Sequence, residues 1–116
     1  IILRPDLLVR AAPGRVEEPP ATLLSRAGLR VAFMSNAEDG AAELPLRAVL
    51  AVSRGLSWTA ALRALTIDAA RAHGIEDRVG SLEIGKDGDV VVWSGPPLEA
   101  TSRVLAVVVN GRVVDP

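Results

Sequence analysis

Apolar and polar positions divide the chain into an early stretch of alternating strand-like and helical runs and a later stretch with strand period alone. Residues 1–9 favour β structure but are interrupted by Pro5-Asp6, and they run into the turn signal Ala11-Ala12-Pro13-Gly14. They predict one short strand or edge segment. Glu17-Glu18-Pro19-Pro20 suits the first turn of a helix with its body at 21–27, closed by Gly28 where a left-handed backbone is favoured. Residues 29–34 (LRVAFM) are nearly continuously apolar and predict a buried strand of about six residues.

The next segment, 35–43 (SNAEDGAAE), turns small and polar, as a loop at the carboxyl end of a parallel strand does; ligands bind at that edge in α/β folds. Leu44-Pro45 predicts the start of a helix running to Arg54, with Leu46, Val49, Leu50 and Ser53 at helical spacing and Gly55 ending it. Ser57 is a good N-cap for a second helix, in which Ala61, Leu62, Leu65, Ala69 and Ala72 form one apolar stripe up to His73, with Gly74 as the stop. After Ile75 the period becomes strand-like. Residues 79–85 are punctuated by glycine, 89–93 read as a strand, Ser94-Gly95-Pro96-Pro97 as a turn and 104–109 as another strand. Asn110-Gly111 before Arg112-Val113-Val114 is the strongest hairpin signal, because a type I′ turn needs positive φ at both central positions. The chain thus reads as an α/β part, 1–74, followed by a β part, 75–116.

Composition narrows the chemistry. At 116 residues and a net charge of −1 there is room for one domain and no electrostatic footprint for nucleic acid. No apolar run reaches the roughly 20 residues of a membrane span. The absence of cysteine excludes disulfides, thiolate metal clusters and a cysteine nucleophile, and fits a cytoplasmic chain. His73 is the one histidine, so a site built wholly from this chain would rely on carboxylates, hydroxyls, amides, arginines and backbone groups. The chain opens on Ile1-Ile2-Leu3 without an initiator Met or a basic leader, which reads as the inside of a strand and predicts a segment of a longer polypeptide.

Several eye-catching residues have plain readings. His73 fits a surface or capping residue at a helix C-terminus, where a cation complements the helix dipole. Glu38-Asp39 fits a solvated turn, lifted only by its place after a buried strand. Gly80, Gly85, Lys86 and Asp87-Gly88-Asp89 lack the spacing of a phosphate or calcium loop and read as turn chemistry. Trp58 and Trp93 read as packing residues, and Asp77-Arg78 as a local chain reversal.

Taken together, Gly55-Leu56-Ser57, Ala61-Leu62-Arg63-Ala64, Thr66, Ala69-Ala70, Gly74-Ile75, Asp77 to Leu82, Gly85-Lys86 and Asp89 to Trp93 resemble the carboxyl-terminal signature of the amidohydrolase superfamily. More narrowly, they are similar to imidazolonepropionase-like and prolidase-like metal-dependent hydrolases. The ending Val107-Val108-Val109-Asn110-Gly111-Arg112 resembles the last hairpin of those enzymes, and the likeness covers residues 29–115.

The resemblance implies an α/β fold: the last units of a metal-dependent hydrolase (β/α)₈ barrel, plus the carboxyl-terminal half of a small composite β-sandwich. A complete barrel needs about 250 residues, so the histidine ligands of the family lie outside this sequence. It implies a divalent metal, zinc being the expected one, in the full-length enzyme, with none held by this chain alone and no metal ligand assigned within it. The reaction implied is hydrolysis of a carbon–nitrogen bond in a small-molecule substrate by metal-activated water. The family's Asp after the eighth barrel strand falls at Asn36, whose carboxamide cannot accept a proton as a carboxylate does. Asn36 is the structural equivalent, or Asp39 or Glu38 takes a shifted role, or none of them has a site role; on the first two readings Ser35, Glu38 and Asp39 stand at the substrate mouth. Alone, the chain is expected to be inactive and to associate with the remainder of the barrel or with itself. The alternative is a catalytically dead remnant that serves as a structural or interaction module.

Overall fold

A computed structural model of the chain describes residues 2–3, 19–35 and 40–114. β1 (Ile2–Leu3) pairs in parallel with β2 (Ala32–Phe33), in the register Ile2↔Ala32 and Leu3↔Phe33. Of the helices α1 (Pro20–Arg26), α2 (Gly40–Ser53), α3 (Trp58–Leu65) and α4 (Ile67–Ala72), α3 and α4 pack against β2 and α2 packs on α3. β3 (Val90–Trp93), β4 (Val104–Val109) and β5 (Arg112–Val114) follow as an antiparallel sheet in the order β3-β4-β5. No helix among the described residues is long and apolar enough to cross a membrane.

The helix stops follow from local chemistry. After α1, α2 and α4 the chain passes through Gly28, Gly55 and Gly74 with φ of +78°, +98° and +68°. In each case the next residue's amide reaches back to a carbonyl of the last turn: Leu29 to Leu24, Leu56 to Ala51 and Ile75 to Ala70, all at 3.0 Å. This paired 6→1 and 5→2 pattern satisfies carbonyls that would otherwise lack partners. Pro20 opens α1 at a position whose N–H would have no helical partner anyway.

Three sequence expectations need correction. Of the strand expected over 29–34, the described pairing takes in Ala32–Phe33 alone, on Ile2 and Leu3. Val31, Ala32 and Phe33 are buried, whereas Leu29 and Met34 are exposed. α2 begins at Gly40 and not at Leu44-Pro45, so Pro45 lies inside the helix; alanines and Glu43 favour the earlier turn. The single helix expected over 57–73 is two. Thr66, at φ −124° and ψ −103°, breaks it, and its hydroxyl donates to the Leu62 carbonyl at 2.8 Å. The expected stripe splits accordingly: Ala61 is buried, Leu62, Leu65 and Ala69 are half-buried, and Ala72 is exposed.

The core is small in side-chain volume. Ala21, Ala48, Ala61 and Ala64 surround Val31, Phe33 and Leu56, so α2 packs on α3 and both α3 and α4 approach β2 closely. Ser57 caps α3 as expected, its hydroxyl accepting from the Ala60 amide at 3.1 Å.

The sheet is built on residue pairs Val90↔Val108 and Val91↔Val107, with an irregularity between Val92 and Trp93. Asn110 and Gly111, at φ +50° and +74°, form the expected hairpin turn. Asp89 Oδ1 accepts from the Asn110 amide at 2.8 Å and the Gly88 carbonyl from the Gly111 amide at 2.9 Å, so the Asp-Gly-Asp turn anchors the hairpin tip. The chain reversal expected at Asp77-Arg78 is closed by local bonds, the Arg78 and Val79 amides donating to the Ile75 carbonyl at 3.0 and 3.1 Å, and Arg78 also donates to Asp87 Oδ2 at 2.7 Å while its carbonyl accepts from the Asp87 amide.

Gly80 is the tightest contact between the post-helix turn and α4. A Cβ there would lie 2.9 Å from both the Ala70 Cβ and the Ile67 Cα, and its φ is +93°. Gly80→Ala is therefore expected to cost about 2 kcal/mol or more, read as a lowered denaturant midpoint at unchanged slope.

Candidate functional site

β2 delivers the chain to the loop that the sequence singles out. Its two residues are buried, Met34 is exposed, Ser35 is half-buried, and α2 starts five residues later at Gly40. Of the four candidates, Ser35 lies at the end of β2, while Asn36, Glu38 and Asp39 lie outside the described residues. Within α2, the carboxylate of Glu43 is held by Arg47, through Nη2 at 2.8 Å and Nε at 3.3 Å. That i,i+4 pair stabilises the first turns of the helix.

The donor set of the described residues does not fit a metal centre. Among them there is no group of three or more His, Cys, Asp or Glu side chains that could hold an ion. His73 is the exposed C-cap of α4, its amide donating to Ala69 and Ala70, in keeping with its reading as a capping residue. Among the described residues, this part of the chain offers the Ser35 hydroxyl just past β2 and, from Gly40, the first turns of α2.

Two polar networks escaped the sequence reading. Asp68, 7% exposed, is gripped by Arg63 (Nε 3.2 Å, Nη2 3.1 Å) and Arg71 (Nη1 3.1 Å). The i,i+3 spacing of Asp68 and Arg71 is a visible signal, but the Arg63 contact depends on the break at Thr66. In the second network, Lys86 Nζ donates to Ser81 Oγ at 2.6 Å and Ser81 donates to Glu83 Oε1 at 2.7 Å. The Ser81 hydroxyl first, and the Lys86 charge second, hold the Glu83 carboxyl below its ordinary value of 4.5. Trp58 was read as packing and also makes a directed bond, its Nε1 donating to the Pro97 carbonyl at 2.9 Å.

Known proteins resemble this chain in sequence and fold. The sequence profile of the amidohydrolase family matches residues 20–115. An imidazolonepropionase of Porphyromonas gingivalis is 37% identical over 110 residues, covering 86% of this chain and 26% of its own. The crystal structure of an amidohydrolase from Thermotoga maritima superposes with a TM-score of 0.75 at 34% identity, over 82% of this chain and 25% of that one. An adenosine deaminase from Xanthomonas campestris with bound zinc superposes with a TM-score of 0.59 at 26% identity, over 82% of this chain and 28% of its own. The chain therefore spans about a quarter of the length of the relatives it matches.

Two outcomes follow from the networks. Asp68→Asn leaves Arg63 and Arg71 without their counter-charge and is expected to cost about 2 kcal/mol, the arginines being part-exposed, as measured by chemical denaturation. For Glu83, a folded value below the unfolded one means that its contribution is complete above pH 4.5 and is lost as pH falls through the folded value. Glu83→Gln should abolish that acid-side loss in the turn at 80–86, read as pH-dependent amide exchange below pH 4.5.

Proposed function

This chain belongs to the amidohydrolase family, and from that premise we propose that it works as the carboxyl-terminal segment of a metal-dependent hydrolase of carbon–nitrogen bonds. The carrying observation is the family match over 20–115, joined to relatives named imidazolonepropionase. Substrates of this class are small amides, cyclic amides or peptide-like molecules. On this reading residues 1–74 are the last α/β units of a barrel, and 75–116 are strands of a composite sandwich. The parallel pairing of β1 with β2, ahead of an antiparallel sheet, supports it. A cysteine-free composition supports a cytoplasmic location.

The metal, zinc by analogy with the deaminase neighbour, is held by residues outside this chain. Ser35, Asn36, Glu38 and Asp39 line the substrate mouth at the end of the last barrel strand. Asn36 stands where the family carries an Asp; its carboxamide can orient a substrate or water by hydrogen bonds but cannot take up a proton. Proton transfer then falls to Asp39 or Glu38, or to a group outside the chain. A second reading, a catalytically dead remnant acting as an interaction module, is favoured by that same Asn36 and by the exposed apolar residues Val91, Val92, Leu105 and Val113 of the sheet.

The test compares the whole native polypeptide with the 116-residue chain on imidazolone, amide and dipeptide substrates, with metal analysis of both. Metal-dependent turnover is expected from the whole polypeptide and none from the chain alone. In the former, Asn36→Ala should lower kcat by about tenfold to a hundredfold, the value of a lost hydrogen bond to a reacting group. Turnover by the isolated chain would overturn the segment reading. A metal-free, inactive whole polypeptide would select the second one.

A further inference from the structure

The loop between β3 and β4 does more than reverse the chain. Its base is closed at Ser94, whose amide donates to the Arg103 carbonyl at 2.9 Å and whose hydroxyl accepts from the Arg103 amide at 3.0 Å. Inside that base the Glu99 amide donates to the Pro96 carbonyl, and the Ser102 amide to the Glu99 carbonyl at 3.0 Å. Pro96 and Pro97 fix φ at two successive positions. The loop is therefore a preformed excursion with its own internal bonds.

Its tip leaves the sheet and engages the helical layer. Trp58 at the start of α3 donates its indole N–H to the Pro97 carbonyl at 2.9 Å, across 39 residues of sequence. Leu98, the next residue, packs against the buried cluster that contains Val31, Phe33, Leu56 and Ala61. Leu98 makes that contact with φ at +70°. The other non-glycine residue with positive φ among those described, Asn110, is explained by its hairpin turn. Leu98 is the third residue of the turn that the Glu99 amide closes on the Pro96 carbonyl, a position that takes positive φ after a proline but favours glycine, and the seat of its side chain on the buried cluster is what keeps a leucine there.

Behind the tip, α3 and α4 stand apart from β3 across an apolar groove of about 680 Å³ bordered by Leu62, Leu65, Ala69, Val90, Trp93 and Leu98. On this side the tip bridges a gap, and the covalent connection runs through the turns at 74–89.

We propose that the 94–103 loop is a strap, latched at Trp58 and Leu98, that holds the three-stranded sheet docked on the helical layer. Release breaks the indole bond, withdraws Leu98 from the core and lets its backbone relax to negative φ, so that the sheet swings on the 74–89 connection. The cluster that receives Leu98 includes Val31 and Phe33, the residues leading to Ser35, so the latched state also stiffens the strand end. This device does not depend on the hydrolase reading.

The test is limited proteolysis of the whole native polypeptide with a glutamate-specific protease, following cleavage after Glu99, with amide exchange of α3 measured in parallel. Trp58→Phe removes the donor but keeps the ring, and is expected to raise the cleavage rate at least tenfold while α3 exchange stays unchanged. Leu98→Ala, which removes the packing and keeps the backbone cost of positive φ, should do the same, and Leu98→Met, which keeps the packing, should cleave as slowly as the natural protein. Unchanged cleavage in both Trp58→Phe and Leu98→Ala would overturn the strap. Equal acceleration of cleavage and α3 exchange would also overturn it, since the contact would then be one more element of global stability.

Discussion

Asp68 and its two arginines fix the angle on which the rest of the molecule depends. A carboxylate in this position needs counter-charge from both sides of the break at Thr66, and Arg63 on α3 and Arg71 on α4 supply it. With the break held, α3 can lie along α2 and β2 while α4 turns to receive the 79–86 turn at Gly80. The sheet's connection to the helices starts from that turn. A straight helix over the same residues would carry Arg63 and Asp68 five positions apart on different faces, so the Arg63 contact needs the break.

What could be read from the sequence is what local chemistry decides. The stops at Gly28, Gly55 and Gly74, the Ser57 cap and the Asn110-Gly111 hairpin each need a few neighbouring residues, and each is found where expected. What could not be read depends on partners distant in the chain. The interruption at Thr66 serves an ion-pair network, β2 finds its partner in β1 thirty residues earlier, and Arg78 finds Asp87 nine residues away. Pro45 misled for a related reason: a proline is a good first helical residue, but the alanines and Glu43 ahead of it extend the helix past the site of the lost bond.

For the site, the family was legible because many glycines and alanines at fixed spacing report turns and close approaches that a whole fold reuses. The chemistry was less so. A signature of this kind reports where turns and strand ends lie, whereas reactivity depends on a few side chains that the fold does not dictate. Leu98 carried only half a signal, since a proline before it suits a turn whose third residue takes positive φ, while leucine is a rare occupant of that position.

The alanine-rich core has a consequence for how this chain can change over generations. Ala48, Ala61 and Ala64 are fully buried and leave no methylene to delete, so truncation, the usual damage to a core, has little to remove there. Enlargement is what those positions cannot absorb, because helix backbones this close leave added atoms no room. In the sheet the reverse holds, with Val113 at 77% exposure able to shrink or grow at little cost. Drift under selection should therefore be size-polarised, with the helical layer frozen at its smallest side chains and the sheet free to vary in bulk.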